Sequence, residues 1–338
     1  MQFRQTLTRP YAGVKCHAAL IALSCLSVFD LASADALVDR DNGPMSGLFG
    51  FPDSREGSRL PDHGENRWDI FLATSSHSVR DDDSGEAILL DGETNRLGIT
   101  WRRGFGGGFE FGIEVPWVMH ESGNLDSFID RWHGIFGLPD GIRDERPVDR
   151  LLFRYEADGN ELLLNRNVNG LGDVRLLGGW QLAKSASASS ALRLSLKLPT
   201  GDSADLLGSG GWDLSVGFAT DKTGLAGVES LSGFYRVSAT WLGTHDLGLP
   251  GNSVVGQLSA GAGYDVTANT TLRVQALVRT PVYDSHVSPL GDVAAALTMG
   301  VSFRLARDYT VTLGVAEDVH PGSMPDVTFT VSILHQPR

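Results

Sequence analysis

The stretch FEFGIEVPW, residues 109–117, puts Phe109, Phe111, Ile113, Val115 and Trp117 on one side and Glu110, Gly112 and Glu114 on the other. Side chains of a strand alternate between faces, so this period of two predicts a strand with one apolar and one polar surface. Such a strand suits a soluble sandwich or a membrane barrel, and the rest of the chain decides between them.

From Trp68 onward the same alternation recurs. Working back from 109–117, apolar faces are carried by Trp68, Ile70 and Leu72 and by Leu97, Ile99 and Trp101. Working forward they recur at Val174–Leu182, Leu192–Leu198, Trp212–Phe218, Leu231–Trp241, Leu258–Tyr264, Leu272–Val278, Val293–Phe303, Tyr309–Val315 and Val327–Ile333, giving twelve segments in all. Some connections are tight, such as Gly104-Phe105-Gly106-Gly107, Asp265–Asn269 and Ala306-Arg307-Asp308. Those between them, Arg80–Gly92, Glu121–Gly170, Gly201–Gly211 and Gly243–Asn252, are longer and more polar. Short turns on one side and long loops on the other are the asymmetry of an outer-membrane barrel, and an even strand number leaves both ends on the short-turn side.

The rings test the same idea. Six of the seven tryptophans lie at or near strand ends: Trp68, Trp101 and Trp180 toward the short turns, with Tyr264 and Tyr309, and Trp117, Trp212 and Trp241 toward the long loops, with Tyr283. Two such girdles suit rings seated between lipid tails and headgroups, whereas a soluble sandwich would hold tryptophan mid-strand on its inner faces. The fold expected is therefore an all-β, transmembrane, antiparallel up-and-down β-barrel of twelve strands. Fourteen is the alternative, if Leu151–Tyr155 and Leu162–Leu164 are wall strands rather than a hairpin of the long loop.

Composition agrees with this reading and narrows it. The 338 residues carry 41 acidic and 28 basic side chains, a formal charge of −13, which argues against nucleic acid as a partner. The 41 glycines follow no three-residue period, so they fit turns and tight wall packing rather than a collagen helix. No apolar run approaches the ~18 residues of a spanning helix. Residues 1–34 read as a signal peptide: Arg4, Arg9 and Lys15, an apolar core from Ala18 to Phe29, and Ala32-Ser33-Ala34 before cleavage after Ala34. Both cysteines, Cys16 and Cys25, fall inside it, leaving no disulfide or thiolate metal site beyond. Residues 35–66 lack either period and contain Gly43-Pro44, Phe51-Pro52 and Leu60-Pro61, so they are expected to form an extended periplasmic segment or plug. Residues 67–338 are assigned to the barrel, with a long extracellular loop at 120–170.

Three stretches carry a resemblance: Asn42-Gly43-Pro44 with Leu48-Phe49-Gly50-Phe51-Pro52, the loop motif from Trp132, His133 and Phe136 through Pro139, Asp140, Gly141 and Arg143, and Gly170-Leu171-Gly172-Asp173-Val174. The chain resembles a Gram-negative outer-membrane family of unknown function. Gly170–Asp173 and Lys197-Leu198-Pro199-Thr200-Gly201 are also similar to a wider group of barrels linked to uptake of aromatic or hydrophobic compounds. The resemblance implies the bacterial outer membrane as location, with outer-membrane lipid, lipopolysaccharide and the barrel-assembly machinery as partners. The chain ends Ile333-Leu334-His335-Gln336-Pro337-Arg338, without the terminal aromatic residue usual in such barrels.

Positions alternating with the apolar faces are the candidate lumen lining: Arg96, Glu110, Glu114, Arg175, Arg193, Lys197, Arg236, Arg273, Arg279 and Arg304. A basic-leaning lumen would favour anionic or polar solutes; alternatively Glu110 and Glu114 pair with Arg96 and Arg175 and fill it. The first reading makes the protein a passive channel or uptake component for small polar or hydrophobic solutes. The second makes it a structural barrel whose outer loops bind a partner. An outer-leaflet hydrolase ranks third: Asp130, His133, Asp140 and Asp149, or His120-Glu121-Ser122, hold the residue types, but nothing in the spacing brings base and nucleophile together. Asp81-Asp82-Asp83 reads as a solvated loop. No cofactor, metal ligand set or catalytic residue is expected.

Overall fold

The structure, a computed structural model of the chain, describes residues 36–123, 150–157, 159–306, 308–319 and 322–336. The signal-peptide assignment at 1–34 and the whole loop motif, Trp132 to Arg143, lie outside the described residues.

Among the described residues fifteen strands form one closed antiparallel sheet. They are β1 Asn66–Asp83, β2 Glu86–Phe105, β3 Phe109–Glu121, β4 Leu152–Ala157, β5 Asn160–Leu164, β6 Val168–Leu171, β7 Arg175–Lys184, β8 Ala188–Lys197, β9 Asp213–Thr223, β10 Leu231–Leu242, β11 Val254–Thr267, β12 Thr270–Arg279, β13 Ala294–Ala306, β14 Tyr309–Asp318 and β15 Val327–His335. The wall has twelve positions, because β6 and β7 share one: β3 pairs with β6 through Trp117–His120 and with β7 through Phe109–Glu114. Pairing of Trp68–Ser76 on β1 with Val327–His335 on β15 closes the ring. Closure satisfies every wall strand's backbone on both sides, the condition for strands to stand in lipid.

The fourteen-strand alternative fails because β4 and β5 pair only with each other and with the outer end of β2, Glu86–Asp91. They belong to the segment expected to be loop at 120–170, which therefore carries strands of its own. Arg80–Gly92, also expected to be loop, continues β1 and β2 outward instead. Its turn is only Ser84-Gly85, with φ of 52° and 88°, the pair of positive values that a tight two-residue hairpin requires.

The outer surface is the apolar face read from the sequence. Trp68, Trp117, Trp180, Trp212, Trp241, Tyr264 and Tyr309 are exposed, and Trp101 is half-buried. Trp68 sits opposite Trp101, and Trp180 stacks on Phe109 at 5.7 Å. Tyr283 is the exception and corrects the girdle assignment: it is 1% exposed and turned inward. Pro281 follows the end of β12, so the chain there leaves the wall and strand alternation no longer sets which way a ring points.

Candidate functional site

The lumen is occupied by the leader, residues 36–62. It makes a bent passage: Leu37 bonds Gln275 on β12, residues 41–49 turn near the long-loop end, and 50–62 return along β7–β9 to the short-turn end, where His63 bridges Gly104. A single short 3-10 turn, Ser46–Leu48, reverses it. Apart from that turn the leader has no regular element, so most of its backbone must find partners elsewhere, and many of them come from the wall. Gly50 donates to Asp213 at 2.8 Å and accepts from Ser215 at 3.0 Å; a Cβ there would meet the Lys197 side chain at 2.9 Å, so only glycine lets the backbone lie this close. Gln257 donates to the Pro52 carbonyl, Ser58 donates to Asp221, and Gln181 bonds both Leu60 and Ser58.

Ion pairs fix it further. Glu56 meets Arg175 at 2.6 Å and Arg102 at 3.9 Å; Arg40 meets Glu114 at 2.8 Å; Arg55 meets Asp69 at 2.8 Å; Asp41 meets Arg279 at 2.6 Å. The wall contributes Glu110 between Arg102 and Arg193, and Lys197 between Asp173 and Asp213. Burial alone would push the Glu56 carboxyl up, but Arg175 and Arg102 outweigh it and hold it at about 2. Asp41 is likewise held low, Arg279 overriding its burial. Asp39 behaves oppositely: burial, with Asp53 nearby, lifts it to about 7, although Ser54 donates to it twice.

The sequence-selected lining residues fall into three groups. Arg96, Glu110, Glu114, Arg175, Arg193, Lys197, Arg236 and Arg279 are buried inside the barrel. Arg273, half-buried, bonds Ser302 near the short-turn mouth. Arg304 is exposed on that rim, where β13 is about to end, and donates to the Ala268 carbonyl; it is not within the lumen. The expected pairing of Glu114 with Arg175 is present, at 3.1 Å. Glu110 does not pair with Arg96. It stands opposite Gly104 and Gly179, so Arg102 on β2 is its diagonal neighbour and Arg193, opposite Gly179 on β8, reaches it across that glycine, while Arg96 donates to Asn42 and to the Gly47 carbonyl.

Sequence reasoning missed the leader's six charged contributors, Asp39, Arg40, Asp41, Asp53, Arg55 and Glu56, because they belong to no periodic element. It also missed the cap above them. Met45, Phe49 and Phe51 pack with Leu249, Tyr283 and Leu290 in one buried cluster beneath the long loops. His120 is held in a buried hydrogen-bond chain. Its Nε2 lies 2.9 Å from the Leu206 carbonyl, which only accepts, so Nε2 carries the proton and Nδ1 accepts from Thr94, whose hydroxyl in turn accepts from His77. Asp82 and Asp83 line an open outer cleft of about 770 Å³, and among the described residues no group of three His, Cys, Asp or Glu is placed to hold a metal ion.

Voids along the leader are small, about 10, 20 and 50 Å³, whereas the short-turn mouth opens into a vestibule of about 430 Å³ lined by Lys184, Asp265, Arg273, Arg304 and others. A twelve-strand wall encloses more space than its own side chains fill, and here a segment of the same chain takes up the rest.

Residues 37–336 match the model of a protein family of unknown function, DUF3187. The chain belongs to this family. No curated protein matches it in sequence. Among solved structures it is similar to the COG4313 outer membrane channel from Pseudomonas putida F1, with a TM-score of 0.54 and 12% identity over 83% of this chain and 97% of that one. Weaker likenesses are to the KdgM porin (TM-score 0.43, 9% identity, 80% and 99% covered) and to the Pseudomonas putida toluene transporter TodX (TM-score 0.39, 13% identity, 91% and 100% covered). At such identity the first match establishes the outer-membrane barrel fold alone.

Proposed function

We propose that the protein is a passive channel of the bacterial outer membrane for small solutes, closed by its own leader. The observation that carries this reading is the leader's course: a non-periodic segment threads a lumen too wide for its wall to fill and holds it by side-chain contacts rather than by joining the sheet. Covalent continuity at Asn66 keeps the released segment within reach, so closing needs no second molecule. Outer-membrane lipid and lipopolysaccharide would face the two aromatic girdles, and the barrel-assembly machinery would insert the strands.

The rival reading is a permanently filled structural barrel, favoured by the density of buried charge pairs. Buried pairs are weak evidence for it, because desolvation offsets most of their attraction. Proteoliposome swelling in small sugars and amino acids separates the two. A channel gives solute-dependent swelling that rises when leader contacts are weakened by Asp41→Asn and Glu56→Gln together; a filled barrel gives no swelling from either protein.

A further inference from the structure

Arg96 and Arg279 differ from the other lumen cations in one respect. Arg102, Arg175, Arg193, Lys197 and Arg236 each have a carboxylate partner on the wall. Arg279 has its ion pair with Asp41 and lies over the Phe51 ring at 4.5 Å, and both partners are in the leader. Arg96 donates to Asn42 Oδ1 and to the Gly47 carbonyl, each at 3.1 Å, again in the leader. Around the same turn, Tyr283 donates to the Met45 carbonyl at 3.1 Å and Lys197 to the Leu48 carbonyl at 3.2 Å. Toward this turn Arg279, Arg96, Lys197 and Tyr283 therefore present donors, which the turn answers with a carboxylate, an amide oxygen and carbonyl oxygens, while the Asn42 amide and the Gly50 N–H donate back to Ser75 and Asp213.

It answers with rings as well. Phe49 meets Tyr283 at 5.8 Å and His245 at 5.5 Å, both edge-on, and lies 5.7 Å from the Lys197 ammonium. The chemistry held by the long-loop half of the lumen is thus one carboxylate on an arginine beside aromatic rings that are themselves edged by rings and faced by cations. Asp41 uses the arginine incompletely. Its bond is to Nη2, and Arg279 Nε is buried without a hydrogen-bond partner among the described residues. A carboxylate not tethered to a backbone can take Nε and Nη2 together, the side-on bidentate geometry that Asp41 does not reach.

We propose that the leader turn, Asp41 to Phe51, occupies a binding site for the channel's own solute, and that this solute is a small aromatic carboxylate. Its carboxylate would sit on Arg279, within reach of Arg96, and its ring would take the place of Phe49 against Tyr283 and His245. The void beside Arg279 is only about 10 Å³, so the solute can enter only by displacing the turn. Binding and opening are then one event: the solute competes with a built-in ligand of the same chemistry. This inference rests on the leader being a removable plug, as the channel reading requires.

The test uses the full chain with Cys16→Ala and Cys25→Ala, carrying Ser46→Cys, a buried position in the turn whose hydroxyl bonds Asp41, folded in detergent and exposed to a polar thiol reagent. Benzoate is the probe; acetate supplies the charge without the ring, and benzyl alcohol the ring without the charge. Benzoate is expected to raise the labelling rate about tenfold, with acetate and benzyl alcohol giving less than twofold. In an Arg279→Gln background the rate should be high from the start and independent of benzoate. Arg154→Gln, in the exposed hairpin of β4 and β5, should keep the benzoate response. Equal effects of the three probes, or a benzoate response that survives Arg279→Gln, would overturn the proposal. If S46C does not fold, equilibrium dialysis of labelled benzoate against the unsubstituted chain decides the same point: saturable retention lost on Arg279→Gln supports the site, and no retention refutes it. The two readings fail separately. Benzoate binding without swelling from any leader-weakened variant sinks the channel and leaves the site, while swelling with no effect of benzoate on labelling or binding sinks the site alone.

Discussion

Replacing Glu56 by glutamine removes one charge from the leader's return limb and leaves its shape unchanged. Glu56 is buried against Arg175 at 2.6 Å and Arg102 at 3.9 Å, and both arginines keep wall partners, Glu114 and Glu110, when it is neutralised. Two routes give the magnitude. A carboxyl held at about 2 rather than at its ordinary 4.5 favours the docked, ionised form by about 3 kcal/mol. Breaking one side of a buried pair costs roughly 3–5 kcal/mol, and the remaining wall partners put this case at the lower end. About 3 kcal/mol corresponds to a ~100-fold larger released population. The assay is tryptic cleavage after Arg55 and Arg59, since cleavage follows the open population when closing is fast. E56Q should be cut on the order of 100 times faster at neutral pH, while the barrel keeps its heat-dependent gel mobility. Glu161→Gln, whose partner Arg154 is exposed, should change cleavage by less than about twofold. The sign also fixes a pH window: a depressed carboxyl stabilises docking above its ordinary value and loses that effect only as pH falls through about 2, so this latch stays closed at pH 4. A cleavage rate for E56Q within threefold of the unsubstituted chain would refute the reasoning.

Asp39 is lifted to about 7, so the docked leader prefers it protonated; that preference is complete below pH 3.8 and is lost as pH rises through about 7. Tryptic cleavage should therefore rise between pH 5 and 8, and Asp39→Asn should flatten the profile. Leu258 stands opposite Val237, between the Trp241 level and the Leu231–Tyr264 level, and is 43% exposed on the lipid face. Leu258→Arg should cost about 2–4 kcal/mol in urea-refolding titrations into vesicles, with an unchanged value counting against the membrane placement. Gly98 faces the Phe71 ring, and a Cβ there would come within 2.0 Å of it. Gly98→Ala should lower barrel stability by about 1–3 kcal/mol in the same titration, and Phe71→Leu should recover part of the loss.

Much of the wall was legible in the sequence because strand alternation is a local signal. Each strand reports its own lipid face, and at the barrel's outer surface nothing overrides that report. Where the signal stopped, so did the reading. Tyr283 is expected among the rings on the long-loop side, yet β12 ends at Arg279 and Pro281 takes the chain out of the wall. Arg304 has the right parity for the lumen but stands at its rim, since parity gives direction and not depth. The pairing of Glu110 was misjudged for a related reason: alternation says that it points inward, whereas which arginine it meets depends on the offsets of β2, β3, β7 and β8. The leader's route was the least readable part. Its partners lie far along the chain, Leu37 with Gln275 and Asp41 with Arg279, and no periodicity in 36–62 encodes them.

Single-channel recording in planar bilayers tests most directly whether the leader closes a conducting path. With Asp41→Asn and Glu56→Gln combined in the full chain, discrete openings of one size should appear, while the unsubstituted protein stays closed for most of the record. A double variant whose leader is readily cut by trypsin yet which passes no current would contradict it.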